Sequence, residues 1–146
     1  HNIYGPRMGY KHVMPQFMER ILVKNQNPLK VYGGRQTRAF CYISDAVSAL
    51  KIIMESNKTN QAIINIGNDE EEIKINDLAK LVIKLSGSNN TIVEKDAPVG
   101  SVVRRCPDIS LLKSLGYNPL ISLEEGLSIM MDWYKDRFSN SIKYES

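Results

Sequence analysis

The chain has 146 residues, 42% hydrophobic and 24% charged, with 19 Lys and Arg against 16 Asp and Glu and a formal net charge of +3. That balance belongs to a globular chain long enough for one core and short for two, and its basic residues are scattered, so a nucleic-acid surface is not implied. No apolar run approaches the roughly 18 residues of a membrane span, and two cysteines, Cys41 and Cys106, match no metal spacing and are too few for a disulfide framework, which fits a reducing, cytoplasmic setting.

The chain opens on "HNIYGPR", turn chemistry with no element before it and His1 in place of Met, so a piece of a longer protein is expected. Pro15 sits where an early helical proline is tolerated, and Val13, Phe17 and Ile21 recur every four residues. That spacing predicts an amphipathic helix over 13–25. "LKVY" reads as a short strand, Gly33-Gly34 as a turn and "AFCYI" as a second strand. Ser44 or Asp45 is placed to cap the next helix, with Ala46, Leu50, Ile53 and Met54 on its inner face. "AIINIG", residues 62–67, reads as a buried strand, and "NDEEE" after it as a solvated loop. Leu78, Leu81, Val82 and Leu85 mark a helix stopped at Gly87. "TIVEK" is a further strand, residues 96–107 are irregular, and Asp108 caps a short helix ending at Gly116. The last helix opens with Ser122 and Glu125 in capping-box spacing, its apolar face running through Leu123, Leu127, Met130, Met131 and Tyr134. The expected class is α/β, short strands alternating with about five helices, in a domain over 1–138 followed by a polar tail at 139–146.

No G-x-S-x-G elbow, G-x-x-x-x-G-K loop or glycine-rich dinucleotide turn occurs, and no catalytic residue or metal-ligand set emerges. His12, the only internal histidine, has no partner at a telling spacing and reads first as a solvent-facing residue at a helix start. What remains are arginines at the ends of elements. A guanidinium is permanently charged and forks two donors toward phosphate oxygens. Arg38, between a small turn and an apolar strand, is either such an anion clamp or the partner of a surface acid; Arg35, in the turn, is looser. Arg104 and Arg105 are either a second cationic site or a solvated pair.

"NIYGPR", "VYGGRQTRAFCYISDAVSAL", "NIGNDEE", "RRCPDIS", "KSLGYNP", "SLEEGL" and "DWY" follow one another at distances that resemble the C-terminal half of the extended short-chain dehydrogenase/reductases. These are the NAD-dependent nucleotide-sugar epimerases, dehydratases and decarboxylases, and the likeness covers roughly residues 1–136. The resemblance implies the substrate-binding portion of a Rossmann-type enzyme. The glycine-rich NAD turn and the Y-x-x-x-K catalytic pair of such enzymes do not occur in these 146 residues, so the chain alone is expected to be inactive.

Carried over by residue, the resemblance implies that Asn2 bonds the substrate diphosphate, that His12 and Val13 lie along the nucleotide, and that Lys30 offers backbone contacts while Tyr32 flanks the base. Arg38 becomes the diphosphate arginine and Asn65 a polar neighbour of the site. Arg104 or Arg105 closes over the phosphates, the departing pattern "PVGSVVRRCPD" leaving open which. Asp45 and Asp108 stay helix caps, and Arg7 stays undecided between the site and a loop ion pair. The resemblance further implies a nucleotide-sugar ligand, UDP-sugar by preference, NAD as the parent enzyme's cofactor, a homodimeric parent, and apolar surface where the NAD-binding half would pack. Two other readings remain open: a stand-alone nucleotide-binding module, and an interaction domain whose arginines form salt bridges.

Overall fold

In the computed structural model, which describes residues 1–142, the apolar repeats meet in one main core. The elements run β1 (Ile3–Tyr4), α1 (Val13–Leu22), β2 (Leu29–Tyr32), β3 (Thr37–Ala39), β4 (Cys41–Tyr42), α2 (Ile43–Glu55), a 3-10 turn at Asn57–Thr59, β5 (Glu72–Lys74), α3 (Ile75–Ser86), β6 (Ile92–Lys95), β7 (Arg104–Arg105), α4 (Ser110–Ser114) and α5 (Leu123–Ile142). Met14, Phe17 and Ile21 of α1, Leu78 and Val82 of α3, and Leu127, Met130 and Tyr134 of α5 bury their side chains over Leu29 and Val31 of β2. The four-residue repeats place each helix's apolar stripe on this one volume. A second, smaller core joins Ala49 of α2 to Ile109, Leu112 and Tyr117 around α4.

The strands are short and form three separate ladders. β1 pairs with β4 and β2 with β6, both parallel, while β3 lies between β5, antiparallel, and β7, parallel. "AFCYI" is therefore two strands rather than one. The chain leaves the β3 ladder at Phe40, joins β1 at Cys41, and turns into α2 at Ile43. α1 ends three residues short of the expected position, at Leu22, ahead of Asn25 with its positive φ of 46°. α3 stops at Gly87, whose φ of 74° is the left-handed conformation of a helix C-terminus. Ser122 Oγ accepts from Glu125 N at 3.2 Å, the Ser half of the expected capping box. α5 runs through residue 138 to Ile142, and residues 143–146 of the expected tail lie outside the described residues. No helix among the described residues is long and apolar enough to cross a membrane.

Three expectations are corrected. Residues 62–67 form no strand: Ile64 and Ile66 pack on the smaller core, but Ile63 is 97% exposed and the segment lies in no ladder. An apolar run needs a ladder of backbone bonds to become a strand, and this segment has only isolated contacts, such as that of the His1 amine with Ile66 O at 2.7 Å. The acidic run is not a solvated loop, because Lys113 binds Asp69 at 2.7 Å and Glu70 at 2.9 Å, Glu71 accepts from Leu123 N, and Glu72 pairs with Arg104. The third concerns α2, where Ala46 and Ile53 of the expected face do point inward, with Asp45 and Ala49, Ile53 packing partly buried on the smaller core. Leu50 and Met54 face outward with Ile43 and Val47, Met54 at 84% exposure, and form an uncovered apolar stripe.

Asp45 is consequently no helix cap. It is 3% exposed, and its Oδ2 accepts from Leu120 N at 3.2 Å and Ile121 N at 3.1 Å, tying α2 to the segment that leads into α5. Asp108 does cap, its Oδ1 accepting from Ser110 N at 2.9 Å, and those bonds hold its carboxyl below the usual range. Removing the Asp45 acceptor strands two amides. Asp45→Ala is expected to cost about 1–3 kcal/mol of stability, and Asp45→Asn less, since it keeps one oxygen; urea unfolding of the three proteins checks this.

Candidate functional site

A cleft of about 470 Å³ opens between the N-terminus of α1 and the β3–β7 ladder, within the range usual for ligand pockets. It is lined by Asn2, Lys11, His12, Val13, Tyr32 and Arg38, with Gln36 and Arg105 beside Arg38 and an apolar floor of Phe40 and Ile75. Strand geometry explains the choice of side chains. Residues two apart share a face, so Gln36, Arg38 and Phe40 all reach the cleft while Thr37 turns away. In the parallel register Arg38 pairs with Arg105 and Thr37 with Arg104.

That register separates the two candidate arginines. Arg105 joins Arg38 in the cleft. Arg104 lies on the other face, where its Nε and Nη2 donate to Glu72 Oε2 at 3.1 and 2.7 Å, and Thr37 Oγ1 donates to the same carboxylate's Oε1. Residues 104 and 105 are thus a strand, not part of an irregular loop.

Arg38 lies inside its strand rather than at the strand's mouth. Its Nη1 donates to Thr37 O at 2.7 Å and more weakly to Val103 O at 3.4 Å; its Nη2 donates to Val102 O at 2.8 Å and Gln36 Oε1 at 3.0 Å. Every one of these acceptors is neutral. Among the described residues neither Arg38 nor Arg105 has a carboxylate in salt-bridge contact. Partial burial, and next the charge of Arg105, make the Arg38 guanidinium less basic than usual, the signature of two cations held together without an anion.

The remaining lining adds donors and an aromatic. Asn2 lines the cleft and ties its Nδ2 to Ala39 O at 2.8 Å. His12 starts α1 in an extended conformation without a side-chain cap, and no acid stands in the first turn. The amide of Val13 is therefore an orphan donor at the cleft wall. Tyr32, 51% exposed, stands at the rim.

Two expected positions, Lys30 and Asn65, lie elsewhere, as does Arg7, whose role the sequence left undecided. Lys30 is exposed on β2, its carbonyl accepting from Arg20 Nη1 at 3.3 Å, and it does not line the cleft. Asn65 donates to Asp108 O at 3.0 Å and lies 3.4 Å from His1 Nε2, bracing the approach to α4. Arg7, with a φ of 66°, borders a shallower hollow beside Ile43. Lys11 and Gln36 belong to the cleft and were not singled out in the sequence. The period-two spacing of Gln36 from Arg38 is the signal that could have found Gln36.

Comparison with known proteins follows the same outline. The sequence model of the "NAD dependent epimerase/dehydratase family" matches residues 1–67. A UDP-N-acetyl-alpha-D-glucosaminuronate decarboxylase of Bacillus cytotoxicus is 38% identical over 92% of this chain and 44% of its own length. Among solved structures, the UDP-glucose 4-epimerase of Thermotoga maritima with UDP-glucose has a TM-score of 0.82 at 30% identity, over 94% of this chain and 44% of that one. The UDP-glucuronic acid 4-epimerase of Bacillus cereus, in complex with UDP-glucuronic acid and NAD, has a TM-score of 0.83 at 30% identity, over 93% of this chain and 43% of that one. The chain spans less than half the length of these relatives.

Glu72 offers a pH test of the ladder that carries the arginines. Hydrogen bonds from Arg104, then from Thr37, hold its carboxyl below the ordinary range. A carboxyl depressed in the folded state contributes stability above its unfolded pKa of about 4.3, and that contribution is lost as pH falls through the lower folded value. Glu72→Gln is expected to remove this part of the acid-side loss, read as the difference between the two proteins' urea midpoints from pH 6 down to pH 3.

Proposed function

Because the chain matches the extended short-chain dehydrogenase/reductases of the NAD-dependent epimerase/dehydratase family, over the C-terminal portion of longer relatives, we propose that it supplies the substrate-holding part of a nucleotide-sugar epimerase or decarboxylase. One observation carries this reading: Lys11, Arg38 and Arg105 line the cleft and no Asp or Glu does. A lining whose charged residues are all cationic, with an orphan helix amide beside them, favours a multiply charged anion, and a nucleotide diphosphate supplies that charge together with a base for Tyr32. The relatives whose names specify UDP-sugars support UDP as the nucleotide.

In this reading Arg105 and Arg38 meet the two phosphates, Val13 offers its amide alongside His12, and Asn2 reaches the diphosphate from β1. Their work is to hold the part of the substrate that does not react, so that the sugar is presented in a fixed pose. Lys30 and Asn65 act from the outside, by bracing β2 and the α4 approach. Arg104 serves the ladder and not the ligand.

NAD accompanies this family and would take or return a hydride at the sugar. The described residues do not fit it. Their positive-φ glycines, at 33, 87, 100 and 116, lie in the turn between β2 and β3, at the ends of α3 and α4 and in one loop, and none forms a strand-to-helix phosphate cradle. No step is therefore derived through NAD on this chain, and its binding belongs to the portion of a longer protein that the match does not span. The outward stripe of Ile43, Val47, Leu50 and Met54 is the surface on which such a portion would pack, which also suits self-association of the isolated chain. Whether such a parent is a homodimer is a matter of that portion.

Calorimetric titration of the full-length protein with UDP, UDP-glucuronate, GDP and dTDP tests the reading. UDP and UDP-glucuronate are expected to bind, and Arg105→Ala to weaken them about ten- to a hundredfold, since charge-assisted hydrogen bonds are the strong ones. Arg104→Ala is expected to leave affinity unchanged. Absence of binding by all four nucleotides in the full-length protein would overturn the assignment. The 146 residues alone are expected to convert neither UDP-glucose nor UDP-glucuronate in the presence of NAD, as read by product chromatography.

A further inference from the structure

We propose that Gln36 is a positioning residue for Arg38 and couples it to the loop of residues 98–103, an inference that rests on the diphosphate reading of the cleft. Gln36 stands on the wall between that cleft and a second hollow of about 290 Å³ lined by Gly33, Glu94, Lys95 and Ala97. Its backbone is held at both ends. Its N–H donates to Gly33 O at 2.9 Å, and its carbonyl accepts from Ile75 N, the first residue of α3, at 2.9 Å.

The side chain folds back over Gly33. A Cβ at that position would lie 3.0 Å from Gln36 Cδ and 3.2 Å from its Oε1, and Gly33 has a φ of 64°. Glycine is thus required there twice, for the turn and for the space the carboxamide takes. From this fixed place the amide reaches in two directions. Its Oε1 accepts from Arg38 Nη2 at 3.0 Å, and its Nε2 donates to Ser101 Oγ at 2.7 Å, which in turn donates to Pro98 O at 2.7 Å.

The orientation of the amide follows from its neighbours, since a guanidinium only donates and the serine hydroxyl's hydrogen is directed to Pro98. The choice of an amide has a chemical consequence. A neutral acceptor orients Arg38 and leaves its charge uncancelled for an anion, which a carboxylate in the same place would not do. The same guanidinium also holds the carbonyls of Val102 and Val103, the two residues before β7. An arriving phosphate competes with those carbonyls for Nη hydrogens, while Gln36, anchored to the turn and to α3, keeps the fork aimed into the cleft. Ligand binding at Arg38 and the position of the loop leading to Arg105 are thereby linked.

The test compares UDP, by calorimetry, with uridine, by ligand-observed NMR, on the full-length protein and its Gln36→Leu, Gln36→Glu and Ser101→Ala variants. Gln36→Leu is expected to weaken UDP about three- to tenfold, the loss from having to order a freed side chain on binding, with uridine unchanged. Gln36→Glu is expected to weaken UDP further, and Ser101→Ala to weaken it in the same direction, with the Leu and Ala changes together no worse than Gln36→Leu alone. A purely structural role would lower the Tm while leaving the ratio of UDP to uridine affinity as it is, and that result overturns the inference. So do additive effects of the two substitutions, or unchanged UDP affinity in both Gln36 variants while Arg105→Ala loses it. Failure of the unaltered protein to bind UDP overturns the functional reading, and this inference with it.

Discussion

Two permanent cations, Arg38 and Arg105, sit opposite each other in a parallel strand pair with no carboxylate in salt-bridge contact among the described residues. Holding two like charges together is electrostatically unfavourable, so the surrounding structure has to fix their backbones. It does so from three sides. The antiparallel partner β5 closes the outer edge of β3, the Glu72 carboxylate on β5 ties down Thr37 and Arg104 on the face away from the cleft, and the first amides of α3 bond Gln36 O and Gly34 O in the turn. The acid that could have quenched the cleft is thereby committed to its opposite face.

Those fixtures depend on the main core. α3 can present its first amides to the turn only because Ile75, Leu78 and Val82 are buried against α1, β2 and α5. The cleft also requires the chain to change ladders at Phe40. Beyond it, Cys41 and Tyr42 pair with β1, which carries Asn2 to the cleft, and Asn2 bonds back to Ala39. A single continuous strand over 39–43 could not have served both ladders. Asp45 secures the far side of this arrangement, joining α2 to the approach of α5 through two buried amide bonds.

Much of the site was legible in the residues, and the exceptions have physical causes. Asn2, His12, Val13 and Tyr32, named through the family resemblance, and Arg38, singled out from its turn and strand as well, all line the cleft. Lys30 and Asn65 do not, since a strand's alternation and an unpaired segment turn them outward. Arg104 and Arg105 could not be told apart without a register, because one residue of shift exchanges the two faces. Asp45 looked like a cap because it stands in a helix's first turn, and only the return of residues 120 and 121 to its carboxylate shows its use. The outward stripe on α2 was misread for a related reason: its apolar period is real, but amphipathic spacing names a face and not what covers it.

The sequence by itself determined the helices, the αL stop at Gly87, the strand character of "LKVY", the α/β class and the family, all of which rest on periods and motifs within a few residues of one another. Tertiary structure alone decided which arginine faces the cleft, and that the acids of residues 69–72 hold neighbouring elements instead of meeting solvent. Those facts depend on pairings between residues some 30 to 80 positions apart. Local spacing carries no information about such partners, because their register is set by how the separate elements pack on a common core.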